Sequence, residues 1–172
     1  MGEAFEFPDF YHYPPYFTLQ PVKETRERQL ASWRELILSW CRHGRVYELV
    51  AAEFPLFENA AIDRKLNVAA REAIIKDLLD SDRAVVIGES VYVLWRSESE
   101  WEKALMDWAH RTGVSDDVRT VDELCDGDEV EGEPFHSMPK ALMKRVLQRL
   151  EQAGKVALFQ GTAQDDEGVK FL

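Results

Sequence analysis

The sequence predicts an α+β fold in which two tandem winged-helix domains follow an extended N-terminal segment rich in proline and aromatic residues. Helix, short strand, short helix, third helix and terminal hairpin are predicted twice in the same order, which is the order of a winged helix. The two copies align at an offset of about 70 residues, so that Gly44 corresponds to Gly113. We therefore expect domains at residues 24–96 and 97–172, preceded by a partner-docking segment at residues 1–23.

The N-terminal segment combines four prolines with seven aromatic residues: Pro8, Pro14, Pro15, Pro21, Phe5, Phe7, Phe10, Tyr11, Tyr13, Tyr16 and Phe17. Proline fixes φ and removes a hydrogen-bond donor, so the segment is predicted to be extended, partly polyproline-like, and unable to form its own core. A disordered tail would normally be polar and poor in aromatics. The rings therefore need a hydrophobic partner. A groove on another protein is favoured, because Pro14-Pro15 loses little entropy on docking; the chain's own first domain is the rival.

The first domain opens with a helix whose apolar residues recur at three- and four-residue steps: Leu30, Trp33, Ile37, Trp40 and Cys41. Thr25 is predicted to cap this helix and Gly44 to end it. A short strand is predicted at residues 46–50. Three spaced apolar residues then indicate a short second helix: Leu56, Ile62 and Leu66.

Asn67 is predicted to cap the third helix of the first domain. One face of that helix is apolar, with Ala70, Ile74, Ile75, Leu78 and Leu79. The strands at 84–87 and 91–95, separated by a turn at Gly88, then predict a hairpin. A two-stranded hairpin is marginal alone, so it must pack on the helices.

The second domain begins with a capping box at residues 97–100, which opens a helix ending at Gly113. An extended piece at 118–121 and an acidic stretch at 122–133 follow, the latter predicted as a brief helix and a solvated loop. Pro139 starts a helix with one apolar face: Leu142, Met143, Val146, Leu147 and Leu150. The final hairpin is predicted from the strands 156–159 and 169–172, which flank a turn at 161–168.

Catalysis, cofactors and metals find no support in the sequence. The four histidines lie far apart, and neither Cys41 nor Cys125 has a neighbour at zinc-ligand spacing. The acidic run at 126–132 resembles a calcium loop only in composition, because Val130 stands at the fifth ligand position. Phosphate loops and nucleophile elbows are missing, and no apolar stretch reaches about 18 residues. We expect a cytosolic protein that is not an enzyme.

The formal net charge of -11 disfavours binding to phosphate backbones. Residues 97–172 carry 9 basic and 17 acidic residues, a net charge of -8 for this domain. Its last helix nevertheless has a local basic face, formed by Lys140, Lys144, Arg145 and Arg149. That face could be the solvated side of an amphipathic helix, a contact for an acidic protein surface or, least favoured, a nucleic-acid site. A nucleic-acid-binding tandem winged-helix protein is thus the alternative function.

Several motifs, spread over nearly the whole chain, resemble those of one family. They are Pro14-Pro15-Tyr16-Phe17-Thr18-Leu19-Gln20-Pro21, Pro55-Leu56-Phe57, Leu94-Trp95-Arg96, Trp101, Trp108, Phe135-His136 and Gly168-Val169-Lys170-Phe171. The first of these motifs is specific to the family. These motifs are similar to those of the vacuolar protein sorting-associated protein 25 family, the small subunits of ESCRT-II. That family consists of two winged helices in tandem, in agreement with the fold predicted from the pattern of elements.

The resemblance implies a non-enzymatic adaptor that helps sort ubiquitinated cargo into multivesicular bodies. Two copies would join one copy each of two larger ESCRT-II subunits, using a Pro-Pro-x-Tyr/Phe motif that corresponds here to Pro14, Pro15, Tyr16 and Phe17. In this picture Phe17→Ala weakens docking and leaves the fold intact. Some relatives have a second Pro-Pro motif upstream, whereas the stretch 7–11 has a single proline.

The resemblance also implies that the C-terminal domain recruits an ESCRT-III subunit and helps start its assembly. The motifs do not assign the residues of that contact. The basic helix with Lys140, Lys144, Arg145 and Arg149 and the acidic stretch at 122–133 are the candidates. An acidic chain should avoid anionic lipid, so we expect it in the cytoplasm and peripherally on endosomes, with membrane attachment through its partners.

Overall fold

The computed structural model describes residues 2–160 and 167–172 and has a mixed α+β fold, as predicted. It divides into two compact units, residues 1–95 and 96–172. The predicted turn at 161–168 lies largely outside the described residues, so only its flanking strands are described below.

The first unit contains two α-helices and five short strands: α1 (Lys23–Gly44), β1 (Glu48–Leu49), β2 (Glu58–Asn59), β3 (Arg64–Lys65), α2 (Val68–Asp80), β4 (Ala84–Ile87) and β5 (Ser90–Val93). The strands β1, β5 and β4 form an antiparallel sheet in that order, with β5 in the centre. β2 and β3 form a separate two-stranded ribbon. Trp33 and Ile37 of α1 and Leu78 of α2 are fully buried in the core of this unit.

In the second unit, the described residues 96–160 and 167–172 form three α-helices and three strands: α3 (Glu98–Thr112), β6 (Val118–Thr120), α4 (Val121–Asp126), α5 (Lys140–Gln152), β7 (Val156–Gln160) and β8 (Glu167–Phe171). Its antiparallel sheet has the order β6, β8, β7. The large buried rings of its core belong to Trp101, Trp108, Phe135 and Phe171.

Local capping signals set several helix ends as predicted. The side chain of Asn67 accepts a hydrogen bond from the amide of Ala70 at 2.8 Å, and Ser97 and Glu100 form the expected capping box. A second capping box, between Thr120 and Glu123, was not predicted. The predicted cap at Thr25 is wrong: α1 begins at Lys23, and no side chain caps its first turn.

The predicted second helix of the first unit is also wrong. Residues 55–66 form two single turns of 3-10 helix and the β2–β3 ribbon instead. Leu56 and Leu66 are buried as the pattern required, while Ile62 is half-buried. The apolar spacing thus predicted which residues enter the core but not the backbone that carries them.

The N-terminal segment is extended only in part. It forms 3-10 turns at Asp9–His12 and Pro14–Phe17, joined by extended backbone at Tyr13. Each turn begins beside a proline, whose fixed φ suits the start of a helical turn. Residues 2–22, called the leader from here on, belong to the first unit.

Candidate partner-docking site

Trp33 of α1 is the platform on which the leader rests. Its indole ring is completely buried and has the ring of Phe17 edge-on at 5.3 Å, measured between ring centroids. Tyr11 and Phe10 approach the same indole at 6.0 and 5.7 Å. Edge-to-face contacts of this kind add to the hydrophobic gain of roughly 1.5–3 kcal/mol for each buried ring. The leader therefore packs on its own unit, the rival destination considered from the sequence.

Two side chains of α1 also hold the leader backbone. The indole N–H of Trp33 donates to the carbonyl of Tyr16 at 3.0 Å. The Gln29 amide donates to the carbonyls of Tyr16 and Thr18 at 3.1 and 2.8 Å, and its oxygen accepts from the amide of Gln20 at 3.0 Å. Gln29 is one of two buried polar residues among those described, and these bonds satisfy its polar atoms.

Tyr11 fastens the earlier part of the leader to residues 56–59. Its hydroxyl donates to the carbonyls of Leu56 and Glu58 at 3.0 and 3.2 Å. In return the Asn59 amide donates to the Tyr11 carbonyl at 2.7 Å. Burial raises the pKa of the Tyr11 hydroxyl, which keeps it protonated and able to donate.

The four residues predicted to bind a partner face different ways. Phe17 is 3% exposed and covered by its own unit, whereas Pro15 is exposed and Pro14 and Tyr16 are half-buried. Tyr13, next to this motif, is 56% exposed. A partner meeting the leader in this conformation would touch Tyr13 and Pro15 first. Whether the four residues bind a partner stays a prediction.

A groove opens beside the exposed side of the leader. Its volume is about 270 Å³, and its lining comes from the leader and from the start of α1: Tyr13, Pro15, Tyr16, Gln20, Thr25, Arg28 and Gln29. The sequence motif pointed to only part of this surface. Gln29 could have been recognised as a clamp, because a glutamine one turn before a buried tryptophan stands on the apolar face of the helix.

The basic face of α5 is neutralised within the second unit. Lys140 pairs with Asp122 at 2.5 Å, and Lys144 with Glu167 at 3.1 Å. Arg149 contacts two carboxylates of α3, those of Glu98 at 3.1 Å and Glu102 at 2.7 Å, while Arg145 pairs with Glu98. The four candidates for an ESCRT-III contact therefore each have an acidic partner in their own chain, which weakens their attraction for phosphate.

The acidic stretch at 122–133 is only partly a solvated loop. Val130 is completely buried, and the carbonyl of Glu129 accepts a hydrogen bond from the indole of Trp108 at 3.2 Å. Two arginines hold its carboxylates: Arg119 contacts Glu129 at 2.8 Å and Arg111 contacts Glu133 at 2.9 Å. The stretch is thus fixed to the body of the second unit.

Neither a metal cluster nor a membrane helix occurs in the part of the chain that the structure describes. Within residues 2–160 and 167–172, no group of three His, Cys, Asp or Glu side chains could hold a metal ion. No helix in these residues is both long and apolar enough to cross a bilayer. Cys41 and Cys125 are buried, and burial raises the pKa of each thiol to about 12.

Comparisons with known proteins all lead to one family. The family model of ESCRT-II complex subunits matches residues 10–139. Vacuolar protein sorting-associated protein 25 of Arabidopsis thaliana is 40% identical over 171 residues, covering 97% of this chain and 96% of that protein. The Homo sapiens protein of that name is 37% identical over 178 residues, covering both chains completely.

Solved structures agree in fold. The crystal structure of subunit VPS25 of the endosomal trafficking complex ESCRT-II superposes with a TM-score of 0.89 at 22% identity, covering 96% of this chain and 98% of that one. A chain from the crystal structure of the VPS22/VPS25/VPS36 complex gives a TM-score of 0.84 at 23% identity, with 96% and 98% of the two chains covered.

Proposed function

The chain belongs to the family of ESCRT-II complex subunits, and on that premise we propose that it is the small, non-enzymatic adaptor subunit of this endosomal trafficking complex. Its relatives named vacuolar protein sorting-associated protein 25 match it from end to end, so the proposal concerns the whole chain. In this role it helps sort ubiquitinated cargo into multivesicular bodies and lies peripherally on endosomes through its partners.

Each unit of the chain acts as a winged helix in this proposal. The support is the order of elements: a long first helix, a short edge strand, further helical turns, a second long helix and a terminal hairpin that completes an antiparallel sheet. Many such modules bind DNA, but the paired basic face of α5 and the net charge of -11 favour protein partners.

The leader is the surface through which the chain docks onto the two larger ESCRT-II subunits, with two copies of the chain per complex. The carrying observation is that the leader is held in one shape while the ring of Tyr13 is left 56% exposed. Pro14, Pro15 and Tyr16 complete the outer surface, and Phe17 contributes from beneath as the anchor on Trp33. A preformed surface loses little conformational entropy on binding.

The C-terminal unit recruits an ESCRT-III subunit in this proposal. Lys140, Lys144, Arg145 and Arg149 remain the candidate residues on α5. Because each already contacts a carboxylate, an incoming acidic segment would have to share or exchange these ion pairs. Such exchange gains less than the pairing of a free charge, so we expect this contact to be weak and salt-sensitive.

Co-expression with the two larger ESCRT-II subunits of the same organism tests the assembly. We expect a stable complex with two copies of this chain and one of each larger subunit, as measured by light scattering after size-exclusion chromatography. A Tyr13→Ala, Pro15→Ala double variant should lose the complex, and Val68→Ala is the matched control because Val68 is 60% exposed at the start of α2, outside the leader. Failure of the unaltered chain to co-purify would refute the proposal.

A further inference from the structure

The groove beside the leader has one wall of rings, one polar wall and a single charged side chain. The rings of Tyr13, Pro15 and Tyr16 form one side, and Thr25 and Arg28 of α1 form the other. Its volume of about 270 Å³ is large enough to receive a side chain but too small for a helix. This part of the surface is therefore concave and can receive a side chain, whereas the Pro-Pro-Tyr-Phe motif alone would suggest a segment that projects into a partner.

Arg28 and Arg42 differ from the other basic residues of α1, and of the two only Arg28 lines the groove. Lys23 pairs with Glu27 at 4.0 Å, and Arg34 pairs with Asp77 at 2.9 Å. Arg26 donates to the carbonyl of Pro21 at 3.0 Å. By contrast, Arg28 makes no ion pair or hydrogen bond with any of the described residues 2–160 and 167–172.

The nearest acid along the helix does not neutralise Arg28. Glu24 lies one turn earlier, the spacing at which an acid and a base commonly pair, yet the two are not within ion-pair distance. Both side chains are exposed. The guanidinium of Arg28 thus lines the groove opposite the rings, and the described residues do not use its hydrogen-bonding capacity.

The groove is also held open by hydrogen bonds in its floor. The Gln29 amide fixes the carbonyl of Tyr16, and its oxygen fixes the amide of Gln20. The Gln20 side chain in turn donates to the carbonyls of Pro15 and Thr18 at 3.0 and 2.9 Å. These contacts join residues 15–20 of the leader to one another and to α1, so a ligand would find the shape of the groove already formed.

We propose that this groove receives an apolar side chain of one of the larger ESCRT-II subunits, and that Arg28 selects for a carboxylate next to that side chain. The inference rests on the proposed function and adds to it a receiving site and a charge requirement. A guanidinium offers two parallel donors to a carboxylate, and the flanking rings exclude water from part of the contact. Docking would then be reciprocal: the leader presents Tyr13 and Pro15 while accepting a side chain between them and α1.

The test compares Arg28→Gln with Arg42→Gln in the full-length chain, using the co-expressed pair of larger ESCRT-II subunits as the binding partner. Both residues are exposed arginines of α1, but Arg42 lies near the other end of the helix, roughly 20 Å away at 1.5 Å per residue. Isothermal titration at about 50 mM salt should give a Kd roughly three- to tenfold higher for Arg28→Gln and a parental Kd for Arg42→Gln. At about 500 mM salt the difference in Kd should largely disappear, because salt screens the attraction between Arg28 and the carboxylate of the partner.

Two further variants separate this inference from the proposed function. Arg28→Glu should weaken binding by more than tenfold at low salt, while Arg28→Lys should recover part of the affinity because the charge returns without the planar fork. If Arg28→Gln and Arg28→Glu bind like the parent while Tyr13→Ala binds weakly, the charge requirement is wrong and leader docking stands. If the unaltered chain does not bind, both the inference and the proposed function fail.

Discussion

The indole N–H of Trp33 donates to the backbone carbonyl of Tyr16 at 3.0 Å, so a core residue of the first helix directly holds the middle of the Pro-Pro-Tyr-Phe motif. The two residues are 17 positions apart. This bond fixes a backbone group that a flexible tail would leave in water. The leader is consequently part of the folded first unit, and we expect substitutions in it to change stability as well as the proposed docking.

Phe17→Ala should destabilise the first unit, in contrast to the fold-neutral effect expected from the motif alone. The ring is 3% exposed against Trp33, and truncating a buried phenylalanine costs about 3–5 kcal/mol. Urea denaturation followed by tryptophan fluorescence measures this loss. A free energy of unfolding within about 0.5 kcal/mol of the parent would contradict the packing described above.

Tyr13→Ala should separate docking from stability. Its ring is 56% exposed and has its one aromatic contact among the described residues with Tyr16, at 6.1 Å between centroids. We expect an unchanged unfolding midpoint and a Kd for the larger ESCRT-II subunits raised roughly tenfold or more, the range of an interface anchor. Val68→Ala, measured alongside, should leave both quantities unchanged.

Gln29→Glu should loosen the leader without creating a cavity. Glutamate keeps an acceptor for the Gln20 amide but places an oxygen against the carbonyls of Tyr16 and Thr18, which now receive a hydrogen bond. We expect a loss of about 2 kcal/mol in unfolding free energy, together with faster amide hydrogen exchange in residues 16–20. The exposed Glu27→Gln is the control on the same helix and should exchange like the parent.

The full chain should not shift duplex DNA in a gel, even at about 50 mM salt. The basic side chains of α5 are paired with carboxylates of their own unit, and the chain carries a net charge of -11. A shift that weakens steeply with added salt would revive the nucleic-acid alternative.

Replacing both Glu98 and Glu102 by Gln should lower the free energy of unfolding. The substitutions remove the ion pairs with Arg149, and the expected loss is about 1 kcal/mol after allowing for solvent screening.

Both cysteines should be unreactive in the native protein at pH 8. Cys41 and Cys125 are buried, and their thiol pKa of about 12 leaves almost no thiolate to attack a disulfide reagent. Because the pKa of each thiol is higher in the folded than in the unfolded chain, the folded state is favoured while the thiols stay protonated. This stabilisation is complete below about pH 9 and is lost as the pH rises towards 12, since the thiols of the unfolded chain ionise first. Thiol titration should detect two reactive thiols only after the protein is unfolded in urea. Urea denaturation at several pH values should show an unfolding midpoint that falls above about pH 9.

Local signals in the sequence predicted most of the helices. Asn67 and the Ser97–Glu100 box cap helices through contacts three residues away, and the apolar stripe of α5 is buried as expected. Such features depend on neighbours along the chain, which is why they can be recognised without a structure. The α+β class followed from their order.

The errors concern contacts between distant residues. Leu56 and Glu58 accept hydrogen bonds from Tyr11 through carbonyls that a helix across residues 55–66 would have used itself. The leader turns towards Trp33 rather than extending, and Arg145 and Arg149 of α5 meet acids 47 positions away on α3. Periodicity and charge counts contain no information about such partners. The Pro-Pro-Tyr-Phe motif stood out in the sequence, whereas the groove beside it needed the folded chain.

Because the leader covers Trp33 and forms hydrogen bonds with residues 56–59, deleting it would remove part of the fold in addition to the proposed docking surface. Without the leader, the Trp33 indole would be uncovered and the carbonyls of Leu56 and Glu58 would lose their hydrogen-bond donor. Chaperones and proteases would then bind the shortened chain before it could assemble. In cells, deletion of these residues should first appear as a scarcity of the protein. The amounts of the shortened and the parental chain must therefore be matched before the loss of a complex is attributed to weaker partner binding.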